Sequence, residues 1–320
     1  MRSVSMSDLF LGVDTSNYTT SVAAVSADGE ILANIKLPLP VKAGELGLRQ
    51  QAALFEHTKN LPEAFSRFRE AVSGQLLAVG VSEKPRNVEG SYMPCFLAGV
   101  SAASAAAGAT RVPLYRFSHQ CGHIRAAVAG SGAAVGRGRF AALHISGGTT
   151  ELLLCCRSDR GYDCTVVGGT LDLCAGQAID RAGVLLGFSF PCGKELDAAS
   201  LSSDRPAPPF RTSVKGTYFN LSGLENLVKK EYAATKNKGS TSLLVLEFLS
   251  ETLEKAIRAL LEQYGEMPVI CSGGVMSNTI IRRRLSAIRG TCFAPPILSA
   301  DNAVGIAFLA RDAFKNGMEE

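Results

Sequence analysis

The chain has 320 residues, of which 46% are hydrophobic and 19% charged, and 33 basic against 29 acidic side chains give a formal net charge of +4. That composition suits a packed core and excludes a disordered chain, and the length suffices for two ordinary domains or one large duplicated one. The mild positive charge is compatible with a nucleic-acid partner without arguing for one, because an electrostatic footprint requires clustering.

Taken in chain order, the first pattern is an apolar strand, Phe10 to Val13. A turn of small hydroxyl-bearing residues at Asp14-Thr15-Ser16 follows, and then a second apolar strand, Thr19 to Val25. Apolar periodicity predicts helices over Ala52–Val72 and, rich in small residues, over Tyr92–Gly108. The strand–turn–strand device then recurs, as Phe140 to Ile145, Ser146-Gly147-Gly148-Thr149-Thr150, and Glu151 to Cys155. Such turns expose backbone N–H groups and hydroxyls that make an anion nest, and two of them suggest two half-molecules facing one phosphate chain. Further helices are predicted over Asp172–Leu186, over Leu243–Tyr264, and from Ala300-Asp301-Asn302 to Phe314. Ser202–Gly216, with three prolines, and Tyr232–Ser242, rich in Lys, Gly, Ser and Thr, read as surface excursions. The nine cysteines form no CxxC pair, and neither an apolar leader before Asp8 nor a run of 18 apolar residues occurs. The expectation is reduced thiols, no membrane span and a cytoplasmic location.

The sharpest chemical signal is His119-Gln-Cys-Gly-His123. On a helix, positions i and i+4 share a face, so both imidazoles can reach one metal ion; the alternative is a pair of partly buried, hydrogen-bonded rings. Zinc proteases with this spacing need a Glu beside the first His, and Gln120 stands there instead. Val269-Ile-Cys-Ser272-Gly273-Gly274 is a strand running into a Gly-Gly turn, and Ser277-Asn278 are good helix caps. Glycines there let backbone approach a flat ligand, although an ordinary strand-to-helix turn has the same look. Asp172, Gly176 and Asp180 fall on one predicted helix face, where carboxylates could take ribose hydroxyls or be solvated. Arg282-Arg283-Arg284, with Arg289 nearby, is the one dense basic run, and it reads as a solvated helix face.

Taken together, the order DTSxxxT…SHxxGH…SGGTT…DxxAGxAxD…SGGVxxN…DN, running from Leu11 to Phe314, resembles the TsaD/YgjD family. These are the tRNA threonylcarbamoyladenosine transferases, once called O-sialoglycoprotein endopeptidases. The resemblance implies an α/β chain with a duplicated actin/Hsp70-like (ASKHA) ATPase fold, two lobes around a nucleotide cleft. Residues 1–117 would form one lobe, with 300–320 packing back on it, and residues 118–299 the other. It implies metal ligands at His119, His123 and Asp301, for one divalent ion, Fe or Zn. Nucleotide and substrate contacts would come from Thr15, Ser16, His144, Ile145, Ser146, Gly147, Gly148, Asp180, Gly193, Ser272, Gly273, Gly274 and Asn278. The implied activity transfers the threonylcarbamoyl group from threonylcarbamoyl-AMP to N6 of adenosine 37 in tRNA. The implied partners are tRNA, a TsaB-like paralogue and a small ATPase, with no membrane.

The departures from the family pattern surround these positions. ETSCDET has become Asp14-Thr-Ser-Asn17-Tyr-Thr-Thr20, and AGPGL is replaced by Ser82-Glu-Lys-Pro-Arg86-Asn-Val-Glu-Gly90. SGGHTQ has become Ser146-Gly-Gly-Thr149-Thr-Glu151, preceded by His144 where an aliphatic residue is usual. In the DDAAGEAFDK helix Leu173 and Gln177 replace acids and Arg181 replaces Lys, and Glu225 replaces the Lys of FSFSGLK. These changes mark a divergent paralogue. They leave open a kinase or ATPase of the same fold, with Asp14 near a γ-phosphate, and a non-catalytic regulatory paralogue; a metallopeptidase is disfavoured by Gln120.

Overall fold

A computed structural model describes residues 8–317 apart from 17, 41–47, 137, 160 and 300. Asn17 in the first predicted turn and Ala300 at the start of the last predicted helix therefore lie outside the described residues. The chain is α/β and divides into two units: Met1–Ala129 with Arg157–Asp163 and Ala300–Glu320, and Gly130–Cys156 with Cys164–Ser299.

In chain order the first unit contributes β1 (Asp8–Ser16), β2 (Thr19–Ser26), β3 (Ile31–Pro38), α1 (Gln50–Ala71), β4 (Gln75–Lys84), α2 (Phe96–Thr110), β5 (Leu114–Ser118) and α3 (His119–Ser131). The second unit contains β6 (Phe140–Ile145), most of β7 (Thr150–Ser158) and of β8 (Gly161–Thr170), α4 (Ala175–Leu185), α5 (Gly193–Leu201), β9 (Ser213–Lys215) and β10 (Tyr218–Asn220). It continues with α6 (Gly223–Thr235), α7 (Lys238–Tyr264), β11 (Val269–Ser272), α8 (Thr279–Leu285), β12 (Thr291–Phe293) and α9 (Pro296–Ser299). The last helix, α10 (Val304–Lys315), returns to the first unit.

The first unit has a five-stranded sheet in the order β3-β2-β1-β4-β5. β1 and β2 are the predicted hairpin, antiparallel with Asp14 opposite Ser21, and β4 runs parallel to β1 with Val81 opposite Val13. All nine residues of β1 are buried, and because successive side chains alternate between faces, each face of the strand meets a different helix. Gly12 faces α10, where an added Cβ would lie 2.3 Å from the Ala303 carbonyl. Thr15 faces α2, donating its hydroxyl to the Cys95 carbonyl (3.1 Å) and accepting from the Gly99 N–H (3.1 Å). α3 meets α10 backbone to backbone, since a Cβ on Gly305 would lie 1.8 Å from the Gly122 carbonyl oxygen. Through this crossing α3 packs on α10 within the first unit, which runs to Ala129.

The second unit has a seven-stranded sheet in the order β12-β11-β6-β7-β8-β10-β9, with β6 and β7 as the repeated hairpin. Its core is built on α7, a 27-residue helix with fifteen buried positions. The surface excursion expected over Tyr232–Ser242 is instead helix, a two-residue break, and helix. Lys236 in the left-handed region ends α6, and the Asn237 side chain caps α7 by accepting from the Ser240 N–H. Lys-Gly-Ser-Thr composition suggested a loop, but Ser240, Thr241 and Ser242 are buried in the first turn of α7. The helix predicted from Asp172 begins only at Ala175, and the one predicted from Tyr92 at Phe96. Among the described residues no helix is long and apolar enough to cross a membrane, and all nine cysteines are free thiols.

Candidate functional site

α3 opens at His119, so its first turn places His119 and His123 on one face, as the spacing predicted. Their Nε2 atoms stand 2.9 Å apart. Asp301, in the segment leading into α10, brings Oδ1 to 3.0 Å from His123 Nε2 and 3.6 Å from His119 Nε2. One ligand atom from each residue lies within 4.8 Å of the other two. Asn302 secures this approach: its side chain accepts from the Val304 N–H (3.0 Å), holding the start of α10.

Behind the trio sits Asp14, 1% exposed. Its Oδ2 accepts from His119 Nδ1 at 2.7 Å and its Oδ1 from the Ser16 N–H at 2.9 Å. Burial alone would depress the His119 ring, but the attraction of Asp14 and Asp301 outweighs it and raises the ring to about 10. Burial likewise works against the Asp301 charge, and the two imidazoles overcome that and hold its carboxyl well below the usual range. Asp14 thus lies on the Nδ1 side of the His119 ring, and Asp301 and His123 on its Nε2 side. The donor set, two nitrogens and one oxygen, is one that a metal ion could take.

The predicted nucleotide residues of the second unit form a second cluster. Ser146–Thr149 is a closed turn: the Ser146 N–H donates to the Thr149 carbonyl (2.7 Å) and the Thr149 N–H to Ser146 Oγ (3.1 Å). Thr149, standing where the family pattern has His, therefore serves the turn through its backbone. The start of α4 rests on that turn, with the Gly176 N–H on the Ser146 carbonyl (3.2 Å) and no space for a Cβ. Gly273, at φ +99°, passes so close to Ile145 that a Cβ would fall 2.1 Å from its carbonyl. His144 Nδ1 meets Ser272 Oγ at 3.3 Å, joining the two glycine turns. At Gly147, Gly148, Gly193 and Gly274, by contrast, a Cβ would meet nothing within 4 Å among the described residues.

Other predicted residues carry structural duties. Thr15 packs its hydroxyl against α2, and the Ser16 N–H is held by Asp14. Asp180 Oδ1 accepts from the Cys192 N–H (2.9 Å), fixing the turn before Gly193. Asn278 caps α8 by accepting from Ile280 and Ile281 N–H, and donates to Asp197 (2.8 Å). Asp172 is not on the α4 face with Asp180, because it precedes the helix. Its carboxylate takes the N–H groups of Leu173 (2.6 Å), Leu221 (2.8 Å) and Ser222 (3.1 Å). From sequence alone Asp14 reads only as a phosphate-side carboxylate. A carboxylate in an otherwise buried strand was the available signal that it serves a buried partner.

With the site assembled, the TsaD profile, described as tRNA N6-adenosine threonylcarbamoyltransferase, matches residues 47–308. The chain belongs to this family. Similar proteins called tRNA N6-adenosine threonylcarbamoyltransferase include one from Streptococcus suis (strain 05ZYH33), 31% identical over 94% of this chain and 91% of its own. Another, from Neorickettsia sennetsu, is 30% identical over 98% and 95%. Among solved structures, T. kodakarensis HypF superposes with a TM-score of 0.60 at 14% identity, over 98% of this chain and 48% of that one. A ROK family glucokinase from Streptomyces griseus gives 0.53 at 15% identity, over 95% and 99%. These likenesses show the fold, the actin/Hsp70-like (ASKHA) ATPase fold. Two departures from the TsaD pattern meet each other: Arg181 Nη1 lies 3.5 Å from Glu225 Oε2.

Proposed function

We propose that the chain transfers the threonylcarbamoyl group of threonylcarbamoyl-AMP to N6 of adenosine 37 in tRNA, with one divalent metal ion, Fe or Zn, at His119, His123 and Asp301. The observation that carries this reading is the convergence of those three donors within 4.8 Å, in a chain of the TsaD family. When bound, the ion supplies Lewis acidity and a template for the acyl oxygen. The chain's own residues do the rest. Asp14 holds the His119 ring, and Asn302 holds the strap that carries Asp301. Ser146, Gly147 and Gly148, together with His144, Ile145, Ser272, Gly273, Gly274, Gly193, Asp180 and Asn278, form the adenylate side. There, backbone N–H groups and unfilled glycine positions favour a phosphate and a flat base. In the transfer the adenosine amine forms a bond to the carbamoyl carbon, the mixed-anhydride C–O bond breaks, AMP leaves with the electron pair, and the amine gives up one proton to solvent.

A TsaB-like paralogue and a small ATPase are the proposed companions, and the cytoplasm the proposed location. The kinase alternative depended on Asp14 as a carboxylate beside a γ-phosphate, and both of its oxygens are already engaged inside the first unit. The test is to incubate the purified protein with threonylcarbamoyl-AMP and unmodified tRNA, with and without its companions, and to assay the modified nucleoside. Formation of the nucleoside, lost on metal removal, is the expected outcome. Tight nucleotide binding without transfer in the full mixture would identify a regulatory paralogue instead.

A further inference from the structure

We infer that Asp14 is the positioning residue of the metal centre, orienting His119 so that its Nε2 faces the ion. The inference rests on the reading of His119, His123 and Asp301 as ligands.

The geometry comes from the sheet. Asp14 is next-but-one to the end of β1, on the face that Gly12 presents to α10, and β1 is fixed by its pairing with β2 on one side and β4 on the other. A carboxylate 1% exposed is costly to bury and persists only where it is partnered. Here Oδ1 is taken by the Ser16 N–H and Oδ2 by His119 Nδ1, at 2.9 and 2.7 Å.

A neutral imidazole carries one N–H and one lone pair. With the N–H at Nδ1 donated to Asp14, the lone pair is at Nε2, the atom that faces His123 and Asp301. The opposite tautomer would set a lone pair against a buried carboxylate and aim an N–H into the donor trio. Asp14 therefore selects the ligating tautomer, fixes the plane of the ring and makes Nε2 a better donor. Because Asp14 comes from β1 while His119 comes from α3, the orientation of the ring does not depend on the helix alone.

The test measures metal affinity rather than activity. Zn2+ binding is titrated against a chromophoric chelator at constant pH for the wild-type protein, Asp14→Asn, and His119→Ala as the ligand-loss control. Asp14→Asn is expected to weaken Zn2+ by about 10- to 100-fold, and His119→Ala by more. A folded Asp14→Asn protein that binds Zn2+ within about twofold of wild type, where His119→Ala does not bind, overturns the Asp14 assignment alone. Absence of Zn2+ binding by the wild type overturns the ligand reading, and this inference with it.

Should Asp14→Asn fail to fold, the wild-type protein decides. Loaded with 113Cd2+ and labelled with 15N-histidine, it is expected to show cadmium coupling to His119 Nε2 and a retained proton on Nδ1. Coupling to Nδ1, or a proton on Nε2, overturns the assignment. Where Asp14→Asn does fold, a merely structural Asp14 would leave both the coupling and the tautomer of the variant as in the wild type.

Discussion

The three candidate donors are held by different means. His119 and His123 are one helical turn apart on α3, so their relation is set by local geometry. Asp301 comes from the segment leading into α10, whose start is fastened by Asn302, 4% exposed. Replacing Asp301 or His123 by Ala is expected to bring bound metal, read by elemental analysis, from about one equivalent per chain to well below one. Retention of a full equivalent in both variants would sink the trio. Asn302→Ala removes a side-chain acceptor at a helix start and is expected to lower unfolding free energy by about 1 kcal/mol. It should also weaken metal binding, because the strap carrying Asp301 loses its anchor. An unchanged metal affinity would show that the strap is fixed by something else.

The same centre also depends on how closely whole elements approach. α3 and α10 touch through Gly122 and Gly305, and α10 crosses β1 at Gly12. Gly305→Ala puts a methyl group onto the Gly122 carbonyl, so the helices must separate. Such overpacking costs about 1–3 kcal/mol, and Asp301, just ahead of α10, must move with it. Lower thermal stability together with weaker metal binding is expected; a lower melting temperature with unchanged metal affinity would separate the crossing from the site. In the second unit Asp172 joins the approach to α4 to the Leu221-Ser222 segment. Its slight burial favours the neutral acid, yet the N–H groups of Leu221, Ser222 and Leu173 outweigh this and hold the carboxyl far below the usual range. Its folded-state value is thus depressed below the unfolded value of about 3.9. The stabilisation is complete above that pH and is lost as pH falls toward the folded-state value. Asp172 is exposed, so Asp172→Asn should cost only about 1 kcal/mol at neutral pH. The difference from wild type should be constant above about pH 4 and shrink below it, in urea titrations. A difference that grows in acid would contradict the clamp.

These elements also show what the sequence made legible. The i, i+4 spacing of His119 and His123 needs only helix geometry, and the two Gly-Ser-Thr hairpins announce themselves by local pattern. Asp301 is 178 residues from His123, and no local periodicity relates them; only the resemblance to the TsaD pattern paired them. Asp172 was misplaced because a spacing of four is helical only where the backbone is helical, and its carboxylate instead binds backbone of the chain before α6. The start of α7 was hidden because Ser and Thr are loop-forming by composition but are buried here behind an Asn cap. Asp14 was visible as a residue, but its partner was not, since strand alternation gives a face and not what packs on it.

At the scale of the whole molecule the question is where a nucleic acid could dock on a chain of net charge +4. The run Arg282-Arg283-Arg284 is the densest basic segment, yet two of its members are engaged within the second unit. Arg284 lies 2.6 Å from Glu254 and 3.0 Å from Glu247, with Glu251 at 3.8 Å, so α8 is pinned to α7. Arg282 stacks over Phe293, 4.7 Å from the ring centroid. An arginine facing three carboxylates cannot also neutralise a phosphate without releasing them, and the carboxylates repel a polyanion. Arg284→Ala is therefore expected to lower unfolding free energy by about 1 kcal/mol, as loss of a part-exposed ion-pair network does. Its affinity for tRNA, and the slope of log affinity against log salt, should match the wild type. Each lost phosphate contact reduces that slope by about one, so filter binding across a salt series separates the two roles. A slope reduced by about one in Arg284→Ala, with stability unchanged, would make the run a docking surface and assign Glu247 and Glu254 no part in holding it.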